Sequence, residues 1–149
     1  MSLNERNLLQ NLIKDLCLIP GLSGYEDNVR KYLENQLNES KLQNKTDVLG
    51  NLICTLPGDK ELPSVMLFAH MDQLGFIIKK IEDNGFIRVE RLGGVPEKAL
   101  ASQEVTIQSE DNKYFNGIIG NKSHHATSVE DKYKVISYRD IYIDAGFSS

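Results

Sequence analysis

Cysteine is nearly absent. The chain has 149 residues and only two cysteines, Cys17 and Cys54, too few and too far apart for a disulfide framework or a zinc knuckle. Both are expected to be reduced core residues, Cys17 on a helical pattern and Cys54 on a strand pattern. No apolar run approaches the roughly 20 residues needed to cross a bilayer, and the first residues, MSLNERN, lack the apolar centre of a secretory signal. A cytoplasmic protein is expected, with no membrane partner. Basic excess is missing too. The net charge is -4, with 17 basic against 21 acidic residues, and no basic stripe recommends a nucleic-acid partner. A hydrophobic content of 40% is enough for one core, or for a medium domain with a small insertion.

What is present starts with helix. Leu8, Leu9, Leu12, Ile13, Leu16 and Cys17 recur at three and four residues and form one apolar stripe, which Pro20-Gly21 ends. A second helix is expected from Ser23-Gly24-Tyr25-Glu26, with Ser23 and Glu26 as a capping box and Val29, Tyr32, Leu33 and Leu37 on its buried face. TDVLGNLICTL reads as two short extended pieces about a turn at Gly50-Asn51.

The run Val65 to Ala69, VMLFA, is apolar without alternation, the pattern of a strand covered on both faces in a parallel or mixed sheet. The carboxyl ends of such strands border ligand crevices, and this one ends in His70-x-Asp72. Two residues apart on extended chain, the two side chains project to one side. Asp72 can then take the proton on one imidazole nitrogen and leave the other for a metal ion. Spacing alone leaves open a solvated strand end with no such role.

Beyond Asp72 the pattern becomes all-β. Two extended runs surround Asn84-Gly85, a pair suited to a two-residue hairpin with both residues at positive φ. Short strands are expected at Glu104 to Gln108 and Tyr114 to Ile119. His124-His125 lie in the following loop and read as surface or interface residues. The closing segment, RDIYIDAGFSS, contains a strand ending at Asp144, which on spacing alone is a turn or helix-cap aspartate.

Taken in order, SGYEDNVRKYL, DVLGNLI, AHMDQLGFIIKKIEDNGFIRVERLGGV, GIIGNKSHH and DIYIDAG resemble the co-catalytic metallo-aminopeptidases of the glutamyl-aminopeptidase and tetrahedral-aminopeptidase type. The resemblance implies an α/β catalytic domain with an inserted small all-β, barrel-like oligomerisation domain. Residues 1–72 and 135–149 are then the catalytic part and 73–134 the insert. It implies His70 and Asp144 as metal ligands, Asp72 as the residue that orients His70, and two divalent ions, zinc or cobalt. The partners it implies are a peptide substrate and further copies of the chain, joined through the insert. Gln73 stands where many relatives have glutamate, and Ala145 where many have isoleucine or valine. The general base and the remaining ligands of the relatives lie downstream of Ser149, so the expectation is a truncated N-terminal portion, inactive alone, of an enzyme that releases N-terminal residues from peptides. The alternative is a non-catalytic oligomerising fragment. A glucanase ranks lower, since glycosidases use paired carboxylates about a sugar rather than a metal bridge.

Overall fold

The computed structural model describes residues 2–148. The described residues fall into two compact units, divided between Gln73 and Leu74.

The first unit holds helix α1 (Leu3–Leu18), helix α2 (Asp27–Glu39) and an antiparallel pair, β1 (Asn44–Thr46) with β2 (Leu52–Cys54). A reciprocal capping box opens α1, where the Glu5 amide donates to the Ser2 hydroxyl and the Ser2 amide donates to the Glu5 carboxylate. Pro20 forbids helical backbone at the residue before it, and Ile19 is accordingly extended at φ -78° and ψ 122°. The apolar stripe of α1 is present but uncovered. Leu8, Leu9 and Ile13 are exposed, Leu12 and Leu16 are half-buried, and no residue of this helix is buried. Cys17 is therefore not a core residue, and Cys54 is only partly buried; both are free thiols.

α2 begins at Asp27, and no side chain caps it. The expected Ser23–Glu26 box does not form, because Glu26 accepts from the Gly24 amide at 2.8 Å and the Ser23 hydroxyl is engaged elsewhere. Val29 is the buried anchor of α2. It packs against Gly21 so closely that a Cβ there would lie 2.6 Å from Val29 Cγ2. The β1–β2 turn follows the sequence reading. The Asp47 carboxylate accepts from the Leu49 and Asn51 amides and from the Asn51 side chain, each at 2.9 Å, and these donors hold its pKa below the ordinary carboxylate value.

The VMLFA run differs from expectation. Residues 65–69 form no strand and pair with none of the described strands. Val65, Met66, Leu67 and Phe68 are 81–92% exposed. A strand buried on both faces requires neighbours along both edges, and among the described residues of this unit only β1 and β2 pair as strands, with each other.

The second unit is a five-stranded antiparallel sheet of order β3-β4-β7-β6-β5, with β3 at Gly75–Ile81, β4 at Ile87–Leu92, β5 at Glu104–Gln108, β6 at Tyr114–Gly120 and β7 at Tyr142–Asp144. Alternation along these strands sets its two faces. Ile87, Ile143 and Ile119 stand side by side across β4, β7 and β6 and form the core with Val89, Val95, Leu100 and Ile141. Asp144, Ile118 and Glu104 stand in register across β7, β6 and β5 on the opposite, exposed face. The β3–β4 hairpin is not the expected two-residue turn. Gly85 N–H donates to the Glu82 carbonyl and Glu82 N–H to the Phe86 carbonyl, and only Gly85, at φ 85°, takes positive φ, not Asn84. This is a three-residue loop ending in a left-handed residue. The β5–β6 connection repeats it, with Asn112 at φ 59° in the equivalent place.

Candidate metal-binding site

His70 is positioned from its own chain and from the end of α1. Leu22 and Gln73 form a parallel bridge, in which Gln73 N–H donates to the Gly21 carbonyl at 2.7 Å. The Gln73 side chain donates to the Leu16 and Ile19 carbonyls at 3.1 and 2.9 Å. Residues 71–73 are thereby fixed to the loop that follows α1, although residues 65–69 just before them pair with nothing. Gln73 suits this position because glutamate has no proton to give two carbonyls at neutral pH.

On this short anchored stretch, His70 Nδ1 lies 2.9 Å from Asp72 Oδ1 and 3.0 Å from the Asp72 carbonyl oxygen. Both neighbours accept only, so the proton belongs on Nδ1 and the Nε2 lone pair is free. That is the donor a metal-binding histidine needs. The other carboxylate oxygen of Asp72, Oδ2, accepts from Ser23 Oγ at 2.5 Å. The Asp72 pKa lies below the ordinary carboxylate value, mainly through the Ser23 hydrogen bond, with His70 contributing less and partial desolvation opposing. Sequence reasoning missed Ser23. Its position before α2 gave it a complete explanation as a cap, and its true partner is 49 residues away.

An open cleft beside His70 is lined by Glu26, Gly50, Asn51 and Asp72 among others. No second histidine or cysteine lines it. In the second unit, Asp144 is exposed at the end of β7, where Oδ1 accepts from the Gly146 amide at 2.9 Å. Among the described residues no hydrogen bond reaches its Oδ2, so the turn role and a ligand role are compatible. His124 and His125 are exposed, their rings 6.0 Å apart and edge to face. Among the described residues no group of three or more histidines, cysteines or carboxylates converges as a metal site. The His70 imidazole and the Asp144 carboxylate are each a donor type that suits a divalent ion.

Residues 50–149 match the M42 glutamyl aminopeptidase family. The chain belongs to that family, and membership implies divalent metal ions. The lysyl aminopeptidase of Pyrococcus furiosus is 32% identical over 140 residues, 93% of this chain and 40% of that protein. Among solved structures, an aminopeptidase from the archaeon Desulfurococcus kamchatkensis superposes with a TM-score of 0.83 at 36% identity, over 93% of this chain and 37% of its own. The Pyrococcus horikoshii TET1 peptidase, described as assembling into a tetrahedron or a large octahedral shell, gives a TM-score of 0.76 at 34% identity, over 92% of this chain and 40% of that one. The chain thus spans about two fifths of the length of these relatives.

Proposed function

We propose that these residues belong to a metal-dependent aminopeptidase that removes N-terminal residues from peptides, with His70 and Asp144 as metal ligands and Asp72 as the residue that orients His70. The observation that carries this reading is the His70–Asp72 pair. Two acceptors on Nδ1 leave Nε2 as the free nitrogen, in a chain whose family is M42 glutamyl aminopeptidase. When bound, two divalent ions, zinc or cobalt in this proposal, would polarise the scissile carbonyl and acidify a water molecule. The contribution of this chain is to present a preset imidazole nitrogen and an exposed carboxylate. In this reading His70 and Asp144 serve as ligands rather than as the general base, and Asp72 is occupied on both oxygens.

In the same reading, residues 1–72 and 135–149 form part of the α/β catalytic domain, and residues 73–134 are a small barrel-like insert through which copies associate. The antiparallel strands β3 to β6 fall in that range, and β7, from residues 135–149, joins the same sheet between β4 and β6; the assembly described for the Pyrococcus horikoshii TET1 peptidase supports an oligomer. Two free cysteines suit the reducing cytoplasm. By itself the chain behaves as a non-catalytic, associating module, because its described residues offer no complete ligand set.

Hydrolysis of aminoacyl-nitroanilides is the test. A protein extended to the length of the relatives should be active with zinc or cobalt, silenced by chelator, and silenced by His70→Ala or Asp144→Asn; the 149-residue chain should show no turnover. Full activity of the extended His70→Ala variant would remove His70 from the reading.

A further inference from the structure

We infer that Ser23 is a positioning residue for His70, acting through Asp72: its hydroxyl fixes the carboxylate in the orientation in which it accepts the Nδ1 proton of the imidazole, beside the Asp72 carbonyl. The inference rests on the metal-site reading above and extends it by one residue. Its geometry is a linear relay, Ser23 Oγ to Asp72 Oδ2 at 2.5 Å and Asp72 Oδ1 to His70 Nδ1 at 2.9 Å.

The relay matters because its outer members are unevenly protected. The His70 side chain is 84% exposed and that of Asp72 38%, while Ser23 is half-buried. A carboxylate this open to water has solvated rotamers that point away from the ring, and a single hydrogen bond to a still more open imidazole does little against them. Ser23 is the partner that cannot move away. It follows Leu22, which bridges Gln73, and Gly21, which is buried against Val29 and accepts from Gln73 N–H. A donor on Oδ2 also draws charge from Oδ1 and so weakens its hold on Nδ1–H. Water would supply that same withdrawal once the serine is gone, so the electronic effect nearly cancels. Orientation is what the serine adds.

The decisive measurement is the His70 tautomer, read from imidazole nitrogen-15 shifts at a pH where those shifts no longer change with pH. A His124→Gln/His125→Gln background leaves His70 as the single imidazole. We expect wild-type Ser23 to give a predominance of the Nδ1–H form, and Asp72→Ala, which leaves only the backbone carbonyl of that residue on Nδ1, to reduce it. Ser23→Ala and Ser23→Cys should lower the Nδ1–H to Nε2–H ratio roughly three- to tenfold, the scale of one hydrogen bond, while Ser23→Thr, which keeps the hydroxyl, should preserve it. A serine that merely braced the loop would lower the urea midpoint without moving the ratio in folded molecules. An unchanged ratio in folded Ser23→Ala, or in Ser23→Cys should the alanine variant not fold, overturns the inference. The metal reading fails separately, if the extended protein keeps full activity as His70→Ala, and that result leaves the tautomer ratios standing.

Discussion

The side-chain amide of Gln73 donates to the carbonyl of Leu16, closing the last turn of α1 from 57 residues away. The same nitrogen reaches the Ile19 carbonyl, so one amide satisfies two acceptors that the end of a helix leaves open. Gln73→Glu removes both donors and brings a carboxylate to two carbonyl oxygens at the negative end of the helix. A loss of about 1–3 kcal/mol is expected, measured by urea unfolding. The loss should shrink in acid, where a protonated glutamate can again donate one hydrogen bond. A variant as stable as wild type at neutral pH would show that the amide contributes nothing.

Gly85 is buried against the backbone of Phe147, whose carbonyl occupies the space a Cβ would need. Its φ of 85° adds a second objection to any side chain. Asn112 occupies the equivalent turn position at φ 59° and is exposed. Gly85→Ala should therefore cost about 1–3 kcal/mol, and Asn112→Gly should be within about 0.5 kcal/mol of neutral. Paired thermal melts distinguish steric collision from turn conformation, because only Gly85 faces both.

What the sequence disclosed was local. The helices, the β1–β2 turn, the two strands flanking Glu110 and the strand ending at Asp144 follow from periodicity and turn residues within a few positions of one another. Ser23 and Gln73 were not legible because their partners, Asp72, Leu16 and Ile19, lie 49 to 57 residues away. The Ser23 case is instructive: a plausible local role hid a distant one. VMLFA failed for the complementary reason. Its pattern reports the environment the strand is suited to, not the neighbours this unit provides.

Acid should weaken the protein below the ordinary carboxylate range. Asp72, Asp47, Asp111 and Asp131 all have pKa values lowered by hydrogen-bond donors: Ser23 for Asp72, Asn51 for Asp47, and Lys113 and Lys134 for the last two. A lowered folded-state pKa means that the unfolded chain binds protons first as pH falls. The stabilisation is thus fully present above about pH 4 and is lost as pH falls through the depressed values. Urea midpoints should be level from neutral pH to about pH 5 and then decline. Asp47→Asn should flatten part of that decline, since the bonds from the Leu49 and Asn51 amides would no longer depend on a charge, although the one from the Asn51 side chain would be lost.

Self-association of the isolated chain is expected through the uncovered apolar residues of the first unit. Val65 to Phe68 form a continuous exposed run, and Leu8, Leu9 and Ile13 are exposed along α1. Contiguous apolar surface with unpaired extended backbone favours association between chains. Sedimentation velocity should show species larger than a monomer that increase with concentration, and Leu67→Lys with Phe68→Lys should reduce them. A monomer at every concentration would mean that this surface is too broken to associate.

Zinc binding by the isolated chain should be weak and should depend on His70. One imidazole and one exposed carboxylate supply at most two protein donors, whereas tetrahedral zinc takes four, and among the described residues no other cluster makes up the difference. Calorimetry should give no tight stoichiometric site. In an extended protein with the remaining donors present, the order of damage follows from what each side chain touches. His70→Ala removes a donor nitrogen and should abolish activity. Asp72→Asn keeps that nitrogen but puts a neutral amide in place of the charged acceptor on the Nδ1 proton, and should cost roughly 10–100-fold in metal affinity or rate. The Asp72 carbonyl, which also faces Nδ1 at 3.0 Å, is untouched by that change, which is why the effect should stop short of the alanine variant. Equal damage from the two substitutions would mean that Asp72 is itself a ligand and that the order of roles proposed for the pair is wrong.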